Sequence, residues 1–445
     1  MNIVDIILDK RYGRALTNEQ IKFFVKGVTD KSIPDYQISA LLMAIVLNGM
    51  GEREMTTLTM EMAASGEQND LSFVGDVTVD KHSTGGVGDK VTPIVMPLCH
   101  SFGVKIVKLT GRGLGFTGGT VDKFSSIEGF NIDIPKADFP RLVEETGMVL
   151  SGQTPDLAPA DKSLYALRDV TGTVSSIPLI ASSIMSKKLA GGADAIVLDV
   201  TTGTGAFMKT FEEARQIADA MIRIGERAGK KVIAVITDMD QPLGRYCGNV
   251  LEMKEVYDTL NGRGAEDVVE VSATIASKMI KLAGKAGGLN DEELLKECKA
   301  RMNDGRALAE YIKLLRSQGG HVNEDGPVYT AEPVCVYEVK AEESGFVFSM
   351  KTNELGHCSV ALGAGRVTKD DVIDLGAGIR FMKKRGDPVR YGDVLCRLYV
   401  GKDSPLINDE DTLASIADRV SRAYEINSSR PLGIRPVVDV LGDKE

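Results

Sequence analysis

The run Asp80–Asp89 gathers groups that can bind an anion on one short loop. Its sequence is Asp-Lys-His-Ser-Thr-Gly-Gly-Val-Gly-Asp. The glycines expose backbone N–H groups, and a lysine, a serine and a threonine beside them suit an anion of phosphate size. The same run is compatible with a tight turn whose glycines only permit positive φ. His82, one of only 4 histidines in the chain, favours the site because it can move a proton beside a bound anion.

A second glycine-rich stretch, Thr110–Thr120, follows the next predicted strand. Two glycine loops at the ends of neighbouring strands specify a phosphate site better than either loop alone. The side chains that can close on one anion are Lys81, Ser83, Lys108, Thr110 and Thr120. The first loop lacks the G-x-x-x-x-G-K-[ST] spacing, which excludes a Walker-type NTPase loop.

Helical spacing places a mixed stripe of side chains between positions 180 and 187. The residues at i, i+3, i+4 and i+7 are Ile180, Ser183, Ile184 and Lys187. Two aliphatic groups, a hydroxyl and an ammonium therefore share one helix face. A core face would not include the lysine, and a solvent face would not include both isoleucines. Such a stripe suits a flat heterocycle with apolar contacts on its faces and polar contacts at its edge.

Arg168 lies with Tyr165 on the preceding predicted helix and can supply a second cation. The alternative is a surface ion pair with Asp161 or Asp169. If Arg168 and Lys187 converge, they would stabilise an anionic leaving group. Phosphate on one wall of a cleft and a flat ring with two cations on the other describe phosphorolysis of a nucleoside. The groups that would spread or neutralise the charge of the departing base are Lys187, Arg168, Ser183 and His82.

These side chains need strands that end together and helices that cross their ends. From about Phe73 onward the pattern alternates strand, loop and helix, which predicts a mainly parallel sheet with ligands at the carboxyl ends of its strands. Residues 153–160 are predicted to form a hinge. Beyond about Pro333, short strands with glycine turns predict an α+β domain. The predicted domains are a discontinuous helical domain (1–66 and 161–190), an α/β domain (67–160 and 191–332) and a C-terminal α+β domain (333–445).

Length and composition limit the class of protein. A chain of 445 residues exceeds the size at which a single core keeps growing, so two or three domains are expected. A net charge of −10 argues against a nucleic acid as partner. Without a signal-like N-terminus or a run of ~18 apolar residues, we expect a cytoplasmic protein with no membrane contact. Its 6 scattered cysteines, never spaced as C-x-x-C, are expected to be reduced.

Several segments resemble the thymidine and pyrimidine-nucleoside phosphorylases, and the resemblance covers essentially the whole chain. The segments are Lys81–Asp89, Gly111–Gly115 with Thr117–Lys123, Leu164–Thr171, Ser182–Lys188 and Gly205–Lys209. The resemblance implies a homodimer, formed through the helical domain, in which a helical lobe closes on an α/β lobe. It also implies that inorganic phosphate is the co-substrate and that no further cofactor is required.

The resemblance implies a role for each site residue. Phosphate is held by Lys81, Ser83, Thr92, Lys108, Thr110 and Thr120. The pyrimidine nucleoside is held by Arg168, Ser183 and Lys187, with Tyr165, Ile180, Ile184 and Leu114 in the same pocket. His82 lies near a ring carbonyl as the proton donor, and it forms the predicted catalytic set with Arg168 and Lys187.

Some positions depart from the pattern of the family. Lys108 and Thr110 stand where thymidine-specific members have methionine and serine, which implies broad use of uridine, deoxyuridine and thymidine. Phe116, Phe124–Ser125 and Thr201–Thr202 also replace the usual residues, and they affect the predicted loop anchors and sugar pocket.

A potassium site is the other departure. Related enzymes bind potassium through oxygens at positions that match Gly88, Leu243 and Glu255. Here Lys90 stands in the place of a hydroxyl ligand, and Tyr246 in that of a small residue. An ammonium is about the size of a potassium ion and carries the same charge. We therefore hypothesise that Lys90 replaces the metal by pairing with Glu255.

Two other functions fit the same architecture. A phosphoribosyltransferase of the anthranilate type shares a glycine loop, but it would need an acidic pair after the second loop to hold magnesium and diphosphate. No such pair is evident in the sequence. A non-catalytic nucleoside-binding protein of the same fold is the remaining alternative, and phosphate-dependent cleavage of a nucleoside would distinguish it.

Overall fold

The computed structural model describes residues 1–113, 118–154, 156–366 and 371–443. The helices are α1 (Ile3–Arg11), α2 (Asn18–Thr29), α3 (Asp35–Asn48), α4 (Glu52–Ala63), α5 (Val91–His100), α6 (Thr120–Phe124), α7 (Phe139–Thr146), α8 (Pro159–Val170), α9 (Ile177–Ala190), α10 (Phe211–Arg227), α11 (Asn249–Asp258), α12 (Glu266–Leu282), α13 (Asp291–Asn303), α14 (Arg306–Ser317), α15 (Thr352–Ser359) and α16 (Glu410–Ser421). The strands are β1 (Val79–Ser83), β2 (Ile106–Thr110), β3 (Met148–Gly152), β4 (Ala195–Thr202), β5 (Lys231–Asp238), β6 (Tyr246–Cys247), β7 (Val322–Asn323), β8 (Gly326–Pro327), β9 (Pro333–Lys340), β10 (Gly345–Met350), β11 (Gly378–Phe381), β12 (Pro388–Val389), β13 (Val394–Gly401), β14 (Tyr424–Asn427) and β15 (Val437–Leu441).

The helical domain is built from two parts of the chain. Helices α1–α4 bury apolar faces against one another, and Ala160, Leu164 and Leu179 of α8 and α9 belong to the same core. Thr17 caps α2 with a reciprocal bond to Gln20, because both the Thr17 hydroxyl and the Gln20 amide accept a backbone N–H. Helix α8 begins at Pro159, two residues before the predicted start, since proline suits the first helical position.

The central α/β domain contains the parallel sheet that the alternating pattern predicts. Strands β1, β4 and β5 are parallel neighbours, with Ser83 opposite Asp199 and Thr201 opposite Thr237. Every residue of β4 is buried, which explains its almost continuous apolar run. Helices α5 and α12 cover one face, while α9 and α10 cover the other. The carboxyl ends of β1 and β4 therefore open toward the helical domain.

Two strands lie elsewhere than the sequence predicts. Strand β2 pairs in parallel with β3, in a separate two-stranded sheet, and not with β1. Strand β15 falls within the predicted C-terminal domain 333–445, but it pairs antiparallel with β5 at the edge of the central sheet. Such pairings depend on which edges are free after packing, and local periodicity carries no information on this.

The C-terminal domain combines short antiparallel strands with α15 and α16, as expected for an α+β unit. One sheet has the order β12, β10, β14 and the other the order β6, β11, β13, β9. Strand β6 comes from the α/β domain, so Tyr246 and Cys247 extend a sheet of the C-terminal domain. Within the described residues, no helix is both long and apolar enough to cross a membrane. All 6 cysteines are free thiols.

Candidate active site

The carboxyl ends of β1 and β2 open into a cleft of about 320 Å³, which α8 and α9 close from the opposite side. Among the predicted site residues, those that line this cleft are Lys81, His82, Ser83, Thr92, Lys108, Thr110, Thr120, Tyr165, Arg168, Ile180, Ser183, Ile184 and Lys187. Leu114, the remaining predicted substrate contact, lies outside the described residues, as does Phe116. One cleft thus brings together side chains from two glycine loops and two helices.

Lys81 provides a buried positive charge on the first wall. Its Nζ lies 3.1 Å from Asp199 Oδ2 and 3.7 Å from Asp89 Oδ1, but none of the described residues satisfies it with a hydrogen bond of normal geometry. Burial works to lower the pKa of Lys81, but the two carboxylates raise it above its usual value. The ammonium is therefore charged and has donors to offer an anion in the cleft.

The glycine loop beside Lys81 is held by hydroxyl groups. Thr201 donates its backbone N–H to Thr84 Oγ1 at 2.9 Å, and its hydroxyl donates to the Gly85 carbonyl at 2.5 Å. The Gly85 N–H is bonded to Ser83 Oγ at 3.1 Å. Thr201 is one of the positions that depart from the family pattern, and these hydrogen bonds show that it anchors the glycine loop.

Lys108 enters the same wall from β2 and shares a carboxylate with Lys188. Lys108 Nζ donates to Asp80 Oδ1 at 2.8 Å, and Lys188 Nζ donates to Asp80 Oδ2 at 2.7 Å. Burial lowers the pKa of Lys108 to about 7, because the attraction of Asp80 is opposed by the charges of Lys188 and Lys81. Lys108 is thus poised to change its charge near neutral pH.

Arg168 is buried and does not form the surface ion pair that the sequence left as an alternative. Its guanidinium donates to three backbone carbonyls, those of Thr173 (3.3 Å), Leu179 (3.1 Å) and Val174 (2.8 Å). The ring of Tyr165 lies 5.8 Å from its Cζ. These bonds fix the connection between α8 and α9 and leave the guanidinium on the wall of the cleft.

Lys187 faces the cleft from α9 and is held by two oxygens. Its Nζ donates to Asp161 Oδ2 and, at 3.0 Å, to Ser183 Oγ one helical turn away. Asp161 Oδ1 is buried and has no hydrogen-bond partner in the part of the chain that the structure describes. Ile180 and Ile184 lie on the same face, so the predicted mixed stripe lines the cleft. The combination of an ammonium, a hydroxyl and two aliphatic side chains can receive a flat polar ring.

His82 lines the cleft from β1, within reach of the charges of four lysines. Burial is the largest cause that lowers its pKa well below the usual value, and Lys188, Lys108, Lys187 and Lys81 lower it further. At neutral pH its imidazole is therefore uncharged and can still donate one N–H. A bound dianion would oppose the lysine charges and raise this pKa, so anion binding prepares His82 to transfer a proton.

Several residues of the site carry no signal in the local sequence. The sequence suggests Asp161 as a partner of Arg168, but it pairs with Lys187. Two carboxylates outside the predicted set hold the lysines of the phosphate wall: Asp199 pairs with Lys81, and Asp80 pairs with Lys108. Asp80 also pairs with Lys188, a further lysine outside the predicted set. The cleft is also lined by Gln153, Val174, Phe207 and Met208. Successive side chains of β1 point to opposite faces of the sheet, so the sequence places Asp80 on the other face from Lys81. This was the one sequence signal for the position of Asp80.

We expect Lys108→Met to remove a pH dependence from the use of phosphate. In the free enzyme Lys108 loses its charge as pH rises through about 7. Anion binding favours the charged form, so kcat/KM for phosphate should fall above that pH. In Lys108→Met this fall above pH 7 should disappear. Its kcat/KM for phosphate should be about tenfold below that of the wild type at pH 6, and the difference should shrink toward pH 8.5.

The measurement is kcat/KM for phosphate from pH 5.5 to 9 in both enzymes. Lys105→Met, a change of a half-exposed lysine on the same chain segment, is the control and should retain the wild-type profile. Parallel pH profiles for wild type and Lys108→Met would show that the fall in kcat/KM above pH 7 does not come from Lys108.

Comparison with known proteins first defines the class. Residues 4–66 match the glycosyl transferase family helical bundle domain and residues 75–308 match the glycosyl transferase family a/b domain. The fold is also that of anthranilate phosphoribosyltransferase from Thermus thermophilus, with a TM-score of 0.55 and 16% identity over 70% of this chain and 98% of that one. The chain is thus a glycosyltransferase of this two-domain class with an added C-terminal domain.

The C-terminal domain and the curated relatives then define the family. Residues 346–427 match the pyrimidine nucleoside phosphorylase C-terminal domain. The pyrimidine-nucleoside phosphorylase of Staphylococcus haemolyticus is 51% identical, over 91% of this chain and 93% of that protein. The enzyme of Bacillus subtilis is 49% identical, over 97% of this chain and 98% of that protein. The chain belongs to the pyrimidine-nucleoside phosphorylase family.

Proposed function

We propose that the protein cleaves uridine, deoxyuridine and thymidine with inorganic phosphate, releasing the free base and ribose or deoxyribose 1-phosphate. The observation that carries this proposal is the placement of two chemistries in one cleft. A wall of buried lysines and hydroxyls lies across from a stripe in which Ser183 and Lys187 present a hydroxyl and an ammonium. The names of the relatives support the same reaction.

The phosphate wall positions the nucleophile. Lys81 offers unused donors, and Thr92 lies in the first turn of α5, where backbone N–H groups also favour an anion. A phosphate oxygen attacks the anomeric carbon and forms the new C–O bond as the C–N bond to the base breaks. The buried lysines hold the dianion close to the sugar, so the attack becomes effectively intramolecular.

The opposite wall stabilises the leaving group. The electron pair of the broken C–N bond passes to the pyrimidine, whose negative charge spreads to its carbonyl oxygens. Lys187 and Arg168 place positive charge beside these atoms, where the charge develops in the transition state. His82 donates its N–H to a carbonyl oxygen and, once phosphate has raised its pKa, can deliver the proton that gives the neutral base.

The choice of nucleoside is proposed from Lys108 and Thr110. Both line the phosphate side of the cleft. Because lysine and threonine stand here in place of the methionine and serine of thymidine-specific members, we expect the 2′-hydroxyl to be tolerated. Values of kcat/KM for uridine and thymidine should lie within about tenfold of each other, which is less than the loss of one buried hydrogen bond can produce.

One assay tests the reaction itself. The protein is incubated with uridine or thymidine, with and without phosphate, and free base and sugar 1-phosphate are measured by chromatography. A parallel reaction contains anthranilate and phosphoribosyl diphosphate. Base release that depends on phosphate is expected, with no product from the second mixture. Absence of phosphate-dependent cleavage with every pyrimidine nucleoside would reject the proposal.

A homodimer through the helical domain is proposed from an apolar surface. Val4 and Leu8 of α1, Tyr12 directly after α1, and Tyr36 and Leu47 at the two ends of α3 are exposed. Helices α1 and α3 contribute to one core, and exposed apolar side chains on such neighbouring helices are a feature that protein interfaces bury. Sedimentation should show a dimer, and Leu47→Glu should shift it toward a monomer.

We also propose a cytoplasmic location. Its support is the state of the cysteines, of which 5 are buried and all are free. Reduced thiols in a chain of this length are typical of a reducing compartment. Fractionation of cells that express the protein would test the proposal.

A further inference from the structure

Lys90 is a fully buried lysine at the end of the glycine loop, and it does not line the cleft. Its Nζ donates to the Leu243 carbonyl at 2.6 Å and the Tyr246 carbonyl at 3.0 Å, and it lies 2.9 Å from Glu255 Oε2. An ammonium has three N–H donors, and here each has one oxygen acceptor. The arrangement is a set of oxygens around a compact charge of +1.

The charge on Lys90 is secured by its neighbours. Burial alone would lower the pKa of this lysine, but Glu255 and then Glu252 raise it above its usual value. Glu255 in turn accepts the backbone N–H groups of Arg245 at 2.7 Å and Tyr246 at 3.1 Å. The ion pair is therefore fully hydrogen-bonded, which a buried pair needs in order to be stable.

The same residues connect the phosphate loop to residues 242–246. The Leu243 N–H donates to the Val87 carbonyl at 3.0 Å. Gly88 has a φ of +80°, and a Cβ at this position would lie 2.6 Å from the Leu243 carbonyl and 3.2 Å from Lys90 Nζ. The two segments therefore meet closely around the ammonium, and Lys90 holds them together.

A second ammonium holds residues 242–246 from the other side. Lys384 of the C-terminal domain donates to the carbonyls of Pro242 at 2.6 Å and Gly244 at 2.9 Å, and pairs with Asp267. Carbonyls of neighbouring residues thus alternate between Lys384 and Lys90. Carbonyls that converge in this way are the ligands that a potassium ion takes in place of water.

We propose that the ammonium of Lys90 is a built-in replacement for a monovalent cation, and that the protein therefore needs no potassium. The oxygens that would coordinate potassium, those of Leu243 and Glu255, are already engaged by Lys90 Nζ. The residues present do not fit a metal ion beside the lysine, because its ligands are taken. Lys90 thereby links the phosphate loop to the C-terminal domain through residues 242–246.

The wild-type protein gives the first test. Thermal unfolding and calorimetric titration are compared in KCl, NaCl and Tris chloride at equal ionic strength. The Tm should agree within about 1 °C among the three salts, and no saturable heat should accompany potassium addition. A potassium-specific rise in Tm or a saturable binding heat would overturn the proposal. Neither readout depends on phosphorolysis, so the result stands apart from the proposed reaction.

A pair of variants gives the second test. Lys90→Thr removes the ammonium and offers a hydroxyl, so the remaining oxygens can accept a cation. Its Tm in Tris should fall by roughly 5 °C or more. About 100 mM KCl should restore at least half of the loss, and the same concentration of NaCl should restore less. Lys90→Met also leaves Glu255 unpaired, but it fills the space, so its Tm should fall equally in all salts.

The outcomes separate cleanly. If Lys90→Thr folds and its Tm is the same in potassium and Tris, the oxygens of Leu243, Tyr246 and Glu255 do not form a cation site and the proposal is wrong. If Lys90→Met responds to potassium as Lys90→Thr does, potassium acts elsewhere and the proposal also fails. Lys285→Thr, a change of a half-buried lysine that pairs with Asp76 far from residues 242–246, should show no selective response. If Lys90→Thr does not fold in any salt, the wild-type titration decides.

Discussion

Lys187→Ala is expected to lower kcat by ~10²-fold or more, equivalent to ~2.7 kcal/mol of transition-state stabilisation. The ammonium is held by Asp161 and Ser183 at the edge of the cleft where the departing pyrimidine becomes negative. Its attraction grows as the charge develops, so kcat should fall more than KM changes.

Asp161 makes the effect larger than the loss of one positive charge. Once Lys187 is removed, the carboxylate of Asp161 faces the cleft uncompensated and repels the leaving base. Asp161→Asn combined with Lys187→Ala should therefore recover several-fold in kcat over Lys187→Ala alone, because the two side chains act as one unit.

Steady-state kinetics with uridine at saturating phosphate measure both effects. Lys162→Ala is the matched control, since Lys162 is exposed on α8 beside Asp161, and its kcat should remain at the wild-type value. A Lys187→Ala enzyme with near-normal kcat would remove Lys187 from the proposed catalytic set.

His82→Ala is also expected to lower kcat by ~10²-fold or more, through loss of a proton donor beside the ring carbonyl. Burial and the surrounding lysines hold the pKa of His82 well below its usual value, so the free enzyme carries a neutral imidazole at neutral pH. At phosphate concentrations far below its KM, wild-type kcat/KM for the nucleoside should therefore show no His82 titration between pH 6 and 8.

A second substitution distinguishes a hydrogen bond from a proton transfer. His82→Gln keeps an N–H donor but cannot release a proton. If the neutral imidazole only donates a hydrogen bond, His82→Gln should recover most of the loss seen in His82→Ala. If proton transfer matters, both variants should be similarly slow, which is the result we expect. His321→Ala, at an exposed histidine, should keep the wild-type kcat.

Much of the fold was accessible from the sequence because its signals are local. Period-3.6 apolar spacing in residues 1–66 and the buried run in β4 follow from helix and strand geometry, and the structure confirms the fold class. The positions of β2 and β15 were not accessible, because edge pairing is decided by packing.

The site shows the same division. The amino-acid sequence alone specifies which side chains can meet an anion and a ring, because alternation in β1 and the 180–187 stripe place them on defined faces. Their partners and charge states, in contrast, depend on how the chain packs. Asp161 reaches Lys187 from another helix, Asp80 joins Lys108 to Lys188, and the pKa of Lys108 depends on burial and on these charges. Burial and Coulomb interactions arise from segments far apart in the chain, so no local pattern encodes them.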